Sequence, residues 1–515
     1  MQANILWQHE PQILAEPEKI LGPGRRHELG QFLTPDPIAE FMASLFCDFD
    51  RDVNLLDAGA GAGALSVAFV RHCCRQGRRP KRISLTAFEV DPLMLPLLRT
   101  NLEQCTRLCR AAGIAFSALV FNEDFIKSAT AMLGGDLFAA SRLSFNAAIV
   151  NPPYRKIRSD STERRLLRQA GIETSNLYTG FVALIGRLLT DGGELVGITP
   201  RSFCNGPYFK PFRAEFLRTM ALRRLHVFES RSAAFGQDKV LQENVVFHAV
   251  KAALPPACVI ISSSSGEPGA AINECQVKYT SVVDPADPEL FIHLAINGSQ
   301  ALARAAMTSL STSLSELGLT VSTGRVVDFR AKEYLRAQSG RHTAPLVYPC
   351  HFNGGFVHWP REKSRKPNAI VCNATTRELL VPAGVYVLVK RFSPKEERRR
   401  IVACIWDSAK IPAPLIGFEN HLNYFHISGG GLPMTLARGL AAFLNSKTLD
   451  IYFRQFNGHT QVNATDLRSI KYPTGEQLER IGNTIHSPSA APNDLDELVE
   501  KELFKRLSGQ AKPYR

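Results

Sequence analysis

Apolar and polar positions change rhythm twice along this chain. From residue 54 to about 249, short apolar runs alternate with longer amphipathic stretches. Residues 54–58, 83–89, 147–151 and 194–199 have the length and apolar content of buried strands, while 64–76, 92–113 and 176–189 carry helical spacing. Strand, helix, strand in that order predicts βαβ units and a parallel sheet, hence an α/β domain. Two further runs, 225–228 and 244–250, extend the predicted sheet at its far edge. Near Ala253 the rhythm stops, and residues 262–268, S-S-S-S-G-E-P, form a break of the kind that separates domains. Beyond it, strand-like runs at 320–327, 346–349, 385–389 and 401–406 mix with helix-like stretches at 436–445 and 494–507. The expected layout is an α/β domain over 1–255 with its core at about 28–250, a linker at 256–285, and a mixed α+β domain over 286–515.

Composition narrows the class. With 515 residues, 45% apolar and 21% charged, the chain reads as an ordinary globular protein. Its 61 Lys and Arg exceed 48 Asp and Glu, giving 61 − 48 = +13. Residues 1–255 hold +6 of that excess and the remainder +7, so it is spread over both halves and favours a polyanionic partner. The 11 cysteines are odd in number and form no C-x-x-C pair, which suits reduced thiols better than a disulfide framework or a zinc site. No long apolar window and no leader pattern is visible, so no membrane partner is expected and the expected location is the cytoplasm.

Candidate chemistry gathers at the ends of the predicted strands. Residues 54–66, N-L-L-D-A-G-A-G-A-G-A-L-S, run from an apolar strand through Asp57, Ala58 and three alternating glycines, Gly59, Gly61 and Gly63, into a helix. Glycines at such a bend let the backbone turn sharply and approach a ligand. The G-x-G-x-G spacing departs from the dinucleotide fingerprint, and no Lys followed by Ser or Thr closes it, which weakens both NAD and ATP readings. Glu89 ends the next strand, where a carboxylate can take both hydroxyls of a ribose. Asp124 and Phe125 follow, an acceptor for an adenine amino group and a stacking face. Most specific is Asn151-Pro152-Pro153-Tyr154, directly after an apolar run. Two prolines remove two backbone donors and hold the local carbonyls rigidly. The Asn151 amide oxygen and the Pro152 carbonyl can then both accept from one exocyclic NH2, which localises its lone pair for attack, while Tyr154 offers a ring for stacking.

In this order the motifs resemble those of the gamma-group DNA adenine-N6 methyltransferases of type II restriction-modification systems. The resemblance covers residues 28–250. It implies a Rossmann-like S-adenosylmethionine-dependent methyltransferase domain followed by a DNA target-recognition domain. It also implies that Thr34 and Pro35, within Q-F-L-T-P, close over the methionine part of S-adenosylmethionine, and that Asp57, Ala58, Gly59, Gly61, Glu89, Asp124, Phe125 and Asn151 bind that cofactor. Asn151, Pro152, Pro153 and Tyr154 would be catalytic, with Phe235 stacking on the flipped base opposite Tyr154 or serving as a buried aromatic of the last hairpin. Where the family often has an acidic residue followed by Pro at the glycine turn, this chain has Asp57-Ala58, which bears on the geometry near the methionine.

The resemblance implies methyl transfer to N6 of an adenine swung out of duplex DNA. Arg155, Lys156 and Arg158 follow the catalytic tetrapeptide and are candidates for contact with the DNA backbone; residues 390–400 are a second basic run. Residues 450–463 interleave aromatics with Arg454, Gln455 and His459, which can reach phosphates and base edges or else pack inside their own domain. No metal is expected. No Asp or Glu is followed at two residues by Lys, so the usual metal-nuclease triplet is absent and the expected nuclease partner is a separate chain acting on the same site, with the methyltransferase itself a monomer. The competing readings are an amino-methyltransferase of RNA or protein glutamine and a fused methylase and nuclease.

Overall fold

The computed structural model describes residues 34–504 apart from 50, 135–142, 229–242, 267–268, 363–364, 394–396, 458–459 and 486–491. It divides into two units, Met1–Ile296 and Asn297–Arg515. Among the described residues, no helix is long and apolar enough to cross a membrane.

After a first helix α1 (Asp36–Ala43), the first unit winds as β1 (Val53–Ala58), α2 (Ala64–Arg75), β2 (Arg82–Phe88), α3 (Leu95–Ala112), β3 (Ala115–Phe121), α4 (Phe125–Leu133) and β4 (Phe145–Val150). It continues through α5 (Thr162–Gln169), α6 (Leu177–Leu188), β5 (Leu189–Pro200), α7 (Lys210–Thr219), β6 (Met220–Phe228), β7 (Asn244–Lys251), β8 (Cys258–Ser264) and β9 (Asn273–Lys278), with a short α8 (Tyr279–Val282) last. The nine strands form one sheet in the order β3-β2-β1-β4-β5-β7-β6-β8-β9. From β3 to β5 every neighbouring pair is parallel, and β7 then enters antiparallel between β5 and β6. Strands buried on both faces need continuous apolar runs, which is why β1, β2 and β4 were legible as such. Two apolar clusters flank the sheet. Ile38, Met42, Phe69 and Leu98 of α1 to α3 lie in one, and Ile126, Phe181, Leu184 and Phe212 of α4, α6 and α7 in the other.

The winding reverses between β1 and β4: β2 and β3 lie on one side of β1, β4 and β5 on the other. At such a switch point the connections leave in opposite directions and open a crevice at the carboxyl ends of the strands. Registers Asp57↔Ala87 and Asp57↔Ile149 bring the ends of β1, β2 and β4 level there. This is a Rossmann-like α/β arrangement.

Two expectations differ from the structure. Residues 256–285, read as a linker, hold β8 and β9, which extend the first unit's sheet. The Ser run closes β8, where Ser262 and Ser264 hydroxyls bond the ring of buried His226 at 2.9 and 3.0 Å, so polar residues here are interior partners. β3 has no counterpart among the apolar runs because it is an edge strand, largely exposed.

The second unit opens on α9 (Gly298–Thr308) and is built on two sheets. Its strands are β10 (Thr320–Thr323), β11 (Leu335–Arg336), β12 (Thr343–Val347), β13 (Phe352–Asn353), β14 (Phe356–Val357), β15 (Ala369–Val371), β16 (Leu380–Pro382), β17 (Val385–Lys390), β18 (Ala403–Asp407), β19 (Leu415–Phe418) and β20 (Leu422–His426). Orders are β10-β20-β17-β18-β14-β13 and β11-β15-β12-β19-β16. Val347, Val381 and Ile416 from the second sheet share one core with Tyr386, Trp406 and Tyr424 from the first. Helices α10 (Met434–Leu444), α11 (Lys447–Phe456), α12 (Ala464–Ser469), α13 (Gly475–Thr484) and α14 (Pro492–Phe504) complete a mixed α+β unit.

Candidate active site

The glycine turn after β1 is shaped by backbone bonds to the end of β2. Gly59 and Ala60 N–H groups both donate to the Phe88 carbonyl, at 2.9 and 2.8 Å, and Asn101 of α3 reaches the Ala62 carbonyl at 2.7 Å. Gly59, Gly61 and Gly63 all have positive φ, at 81°, 56° and 89°, a region open to glycine without steric cost. A Cβ at Gly63 would come within 2.9 Å of the Leu98 side chain, whereas one at Gly61 would meet nothing within 4 Å. Gly63 therefore lets α2 pack against α3, and Gly61 faces open space.

Asp57 is fully buried below this turn. Its Oδ2 accepts from the Ser66 hydroxyl at 2.6 Å, while its Oδ1 has no partner among the described residues. Burial pushes its pKa up to about 7; the Ser66 bond opposes that rise and the nearby Glu89 adds to it. Glu89, 2% exposed, accepts the Gly61 N–H on Oε2 and the Asp91 N–H on Oε1, both at 2.7 Å. Burial raises its carboxyl as well, against those two bonds, which favour the charged form. Asn122 ties the Glu89 carbonyl at 2.8 Å. Asp124 is exposed and caps α4 by accepting the Lys127 N–H at 3.0 Å. Phe125, 3% exposed, packs between Phe88 and Phe181 at 5.4 and 5.0 Å.

Asn151 directly follows β4, and its amide donates to the Thr34 hydroxyl at 2.9 Å. Pro152 is buried. Tyr154 sits half-buried with its hydroxyl donating to the Ile198 carbonyl at 3.3 Å and its ring edge-on to Tyr178 at 6.3 Å. A cavity of about 310 Å3 joins these strand ends. Gly59, Gly61, Glu89, Asp124, Phe125, Asn151 and Pro153 line it, together with Phe88, Val90, Met94, Glu123, Arg155, Glu163, Leu177 and Phe181. Half of the residues expected to hold the cofactor or the reacting base thus border one space. Phe88, Val90, Met94, Leu177 and Phe181 were not singled out from the sequence, because apolar side chains at helical or strand spacing read as core.

Arg155 pairs with Glu163 at 3.2 Å, and the two also border a second cavity of about 630 Å3 with Lys156, Arg158 and Ser161. Phe235 and His459 lie outside the described residues. In the second unit the structure corrects the expectation for Gln455. It is 1% exposed and its amide donates to the Gln300 carbonyl at 2.7 Å, so it packs α11 against α9 and is not available to a base edge. Arg454 is likewise engaged internally, with Asp450 at 2.9 Å and the Glu397 carbonyl at 2.9 Å. Gln455 is buried against α9, whereas Arg454 is partly exposed with its guanidinium tied to Asp450 and the Glu397 carbonyl.

The residues at the strand ends fit S-adenosylmethionine. A buried carboxylate oxygen at Asp57 awaits a donor, the Gly61 bend leaves room for a ligand, and the cavity joins the carboxyls of Glu89 and Asp124 to the apolar faces of Phe88 and Phe125.

Residues 99–235 match the Eco57I restriction-modification methylase family. The chain is 42% identical over 482 residues to the type II methyltransferase M.PstI of Providencia stuartii, covering 93% of each chain. It is 43% identical over 484 residues to M.BsuBI of Bacillus subtilis, covering 93% of this chain and 95% of that one. Among solved structures, the type IIG restriction endonuclease BpuSI aligns over 95% of this chain and 67% of its own, with 13% identity and a TM-score of 0.45.

Proposed function

The chain belongs to the type II methyltransferases of restriction-modification systems, and from that premise we propose that it methylates N6 of one adenine within a specific duplex DNA sequence. S-adenosylmethionine supplies the methyl group when bound. The observation that carries the adenine reading is Asn151 at the end of β4, on the wall of the cavity that also holds Gly61 and Glu89.

Two acceptors, the Asn151 amide oxygen and the Pro152 carbonyl, hold the two protons of the N6 amino group. That draws the nitrogen out of conjugation with the ring and directs its lone pair along the line of transfer. Thr34 accepts the Asn151 Nδ2–H, which fixes the amide with its oxygen on the opposite side. Because N6 is stacked and paired in a duplex, the base swings out at a cost of a few kcal/mol and is held by Tyr154 and, in our reading, Phe235. Positioning supplies most of the rate, so no general base is needed near N6. After transfer the surplus proton at N6 passes to water. Arg155, Lys156 and Arg158 take the phosphates beside the swung-out nucleotide, and the second unit reads the sequence. Cleavage of unmodified sites falls to a separate restriction endonuclease.

Asn151→Ala tests this reading. Turnover with tritiated S-adenosylmethionine and genomic DNA should fall by about 1000-fold, while calorimetric cofactor affinity stays within a few-fold; near-normal turnover would refute the assignment.

A further inference from the structure

With Gln455 buried and Arg454 engaged, the exposed chemistry of the second unit lies elsewhere, at one end of its six-stranded sheet. There β17 and β20 pair up to Lys390↔Leu422, so Arg391 leaves one strand as His421 enters the other. The Arg391 N–H donates to the His421 carbonyl at 2.8 Å. On the far flank of β20, the Asn420 N–H donates to the Val326 carbonyl at 2.9 Å and the Val326 N–H to the Phe418 carbonyl at 3.1 Å, which anchors the loop after β10 beside the same turn. Residues 460–462 close the other side, through Ser393 N–H to the Thr460 carbonyl at 3.0 Å and Val462 N–H to the Arg391 carbonyl at 2.8 Å.

What these loops display is unusual for solvent. Phe392 is 42% exposed, its ring 5.0 Å from the His421 imidazole and 5.9 Å from the Arg391 guanidinium. Phe329 is 76% exposed, with the Arg330 guanidinium 5.6 Å away. Two phenyl rings held out of the core, each beside its own arginine, cost burial that a lone domain would recover. Among the described residues no carboxylate pairs with Arg391 or Arg330, unlike the cations nearby. Lys366 is paired with Asp328 at 2.7 Å and Lys390 with Glu397 at 3.3 Å, whereas the Arg391 guanidinium bonds the Asn420 carbonyl at 3.2 Å, which leaves its charge in place. Glu419, fully buried, accepts both the His421 N–H at 2.9 Å and, at 2.5 Å, its Nδ1–H. A carboxylate behind Nδ1 fixes the ring and turns Nε2 outward.

We infer that Arg391, Phe392 and His421, with Phe329 and Arg330 on the adjoining loop, form the surface through which the second unit reads base pairs of duplex DNA. This rests on the proposed DNA-methyltransferase function. A guanidinium suits the two acceptors of guanine in the major groove, an imidazole Nε2 suits a single base-edge partner, and a phenyl ring suits a thymine methyl.

The test uses the full-length chain with S-adenosylmethionine and unmethylated genomic DNA, modified adenines being mapped by long-read sequencing. His421→Ala should lose discrimination at one base-pair position by about 10-fold or more. Phe392→Ala should raise KM for DNA by about 10-fold, with kcat at saturating DNA and calorimetric cofactor affinity near the wild-type values. Arg330→Ala, at an exposed position that does not endanger folding, should raise that KM by about 3-fold or relax the sequence as well. A wild-type recognition sequence and DNA KM in all three variants would overturn this inference alone, as would a loss of activity that tracks only a lowered melting temperature. No modified adenine with the wild-type chain would overturn the functional reading and this inference with it.

Discussion

The side-chain amide of Asn151 donates to the hydroxyl of Thr34 at 2.9 Å, joining two residues 117 positions apart. One lies in the segment that enters α1, the other at the end of β4. The bond decides which face of the amide is presented, because an amide free to flip would aim its NH2 at the substrate amino group and repel it. Thr34→Ala should therefore lower single-turnover methyl transfer by about 2- to 10-fold, the worth of one neutral hydrogen bond, with DNA affinity unchanged. Thr34→Ser keeps the hydroxyl and should restore most of the rate. Equal rates in all three proteins would remove Thr34 from the mechanism.

A second expectation follows from Asp57. Its folded pKa, raised by burial to about 7, stands above the ordinary carboxylate value of 3.8. Between those values the folded state binds the proton that the unfolded chain has released, so the contribution to stability is full below about pH 4 and is lost as pH rises through 7. S-adenosylmethionine carries an ammonium and a sulfonium, and Asp57 ionises more readily beside such a cation. Cofactor affinity measured by calorimetry should then increase from pH 6 to pH 8, and Asp57→Asn should flatten that dependence while weakening binding. A wild-type profile identical to that of Asp57→Asn would show that Asp57 does not respond to the cofactor.

How much of this was legible in the sequence depends on which neighbours each residue needs. β1, β2 and β4 were readable because a strand buried on both faces must be apolar throughout, and the strand ends then placed Asp57, Glu89 and Asn151 without further information. β3 was harder to see because an edge strand can stay exposed. Residues 256–285 were misread as a linker because serine usually marks a loop. Here Ser262 and Ser264 are interior partners of His226, a pairing that only the fold creates. The same limit misplaced Gln455, whose partner Gln300 lies 155 positions away. Phe88 and Phe181 line the cavity yet look like any core aromatic, since the sequence does not say which apolar side chain borders empty space.

Two of the glycines after β1, Gly61 and Gly63, should separate folding from binding. At Gly63 an added methyl meets Leu98 at 2.9 Å and the backbone is left-handed at 89°, so Gly63→Ala should destabilise the protein by about 1–3 kcal/mol in urea denaturation. At Gly61 the space is open, and the structural cost is limited to about 1 kcal/mol for an alanine in the left-handed region. The methyl group would, however, stand at the cavity wall. Gly61→Ala should keep most of the stability and lose at least about 10-fold in cofactor affinity, the reverse of the pattern at Gly63. A large stability loss at Gly61 with normal cofactor binding would mean that this bend serves the fold alone.

Charge gives the last test, because phosphate contact and base reading respond differently to salt. Lys156 and Arg158 are exposed beside the catalytic tetrapeptide and border the 630 Å3 cavity, but neither lines the cofactor cavity. Each phosphate neutralised releases condensed counterions, so log affinity falls linearly with log salt, by about 0.9 per contact. Lys156→Ala and Arg158→Ala should each lower the steepness of that fall by about 1 and weaken binding equally on every DNA sequence, leaving the recognition sequence intact. Fluorescence anisotropy with duplex DNA at several salt concentrations measures the slope, and calorimetry should show cofactor affinity within about 2-fold of the wild type throughout. An unchanged slope in the double variant would place the DNA backbone elsewhere on this basic chain, and a change in sequence preference would make these side chains readers of bases.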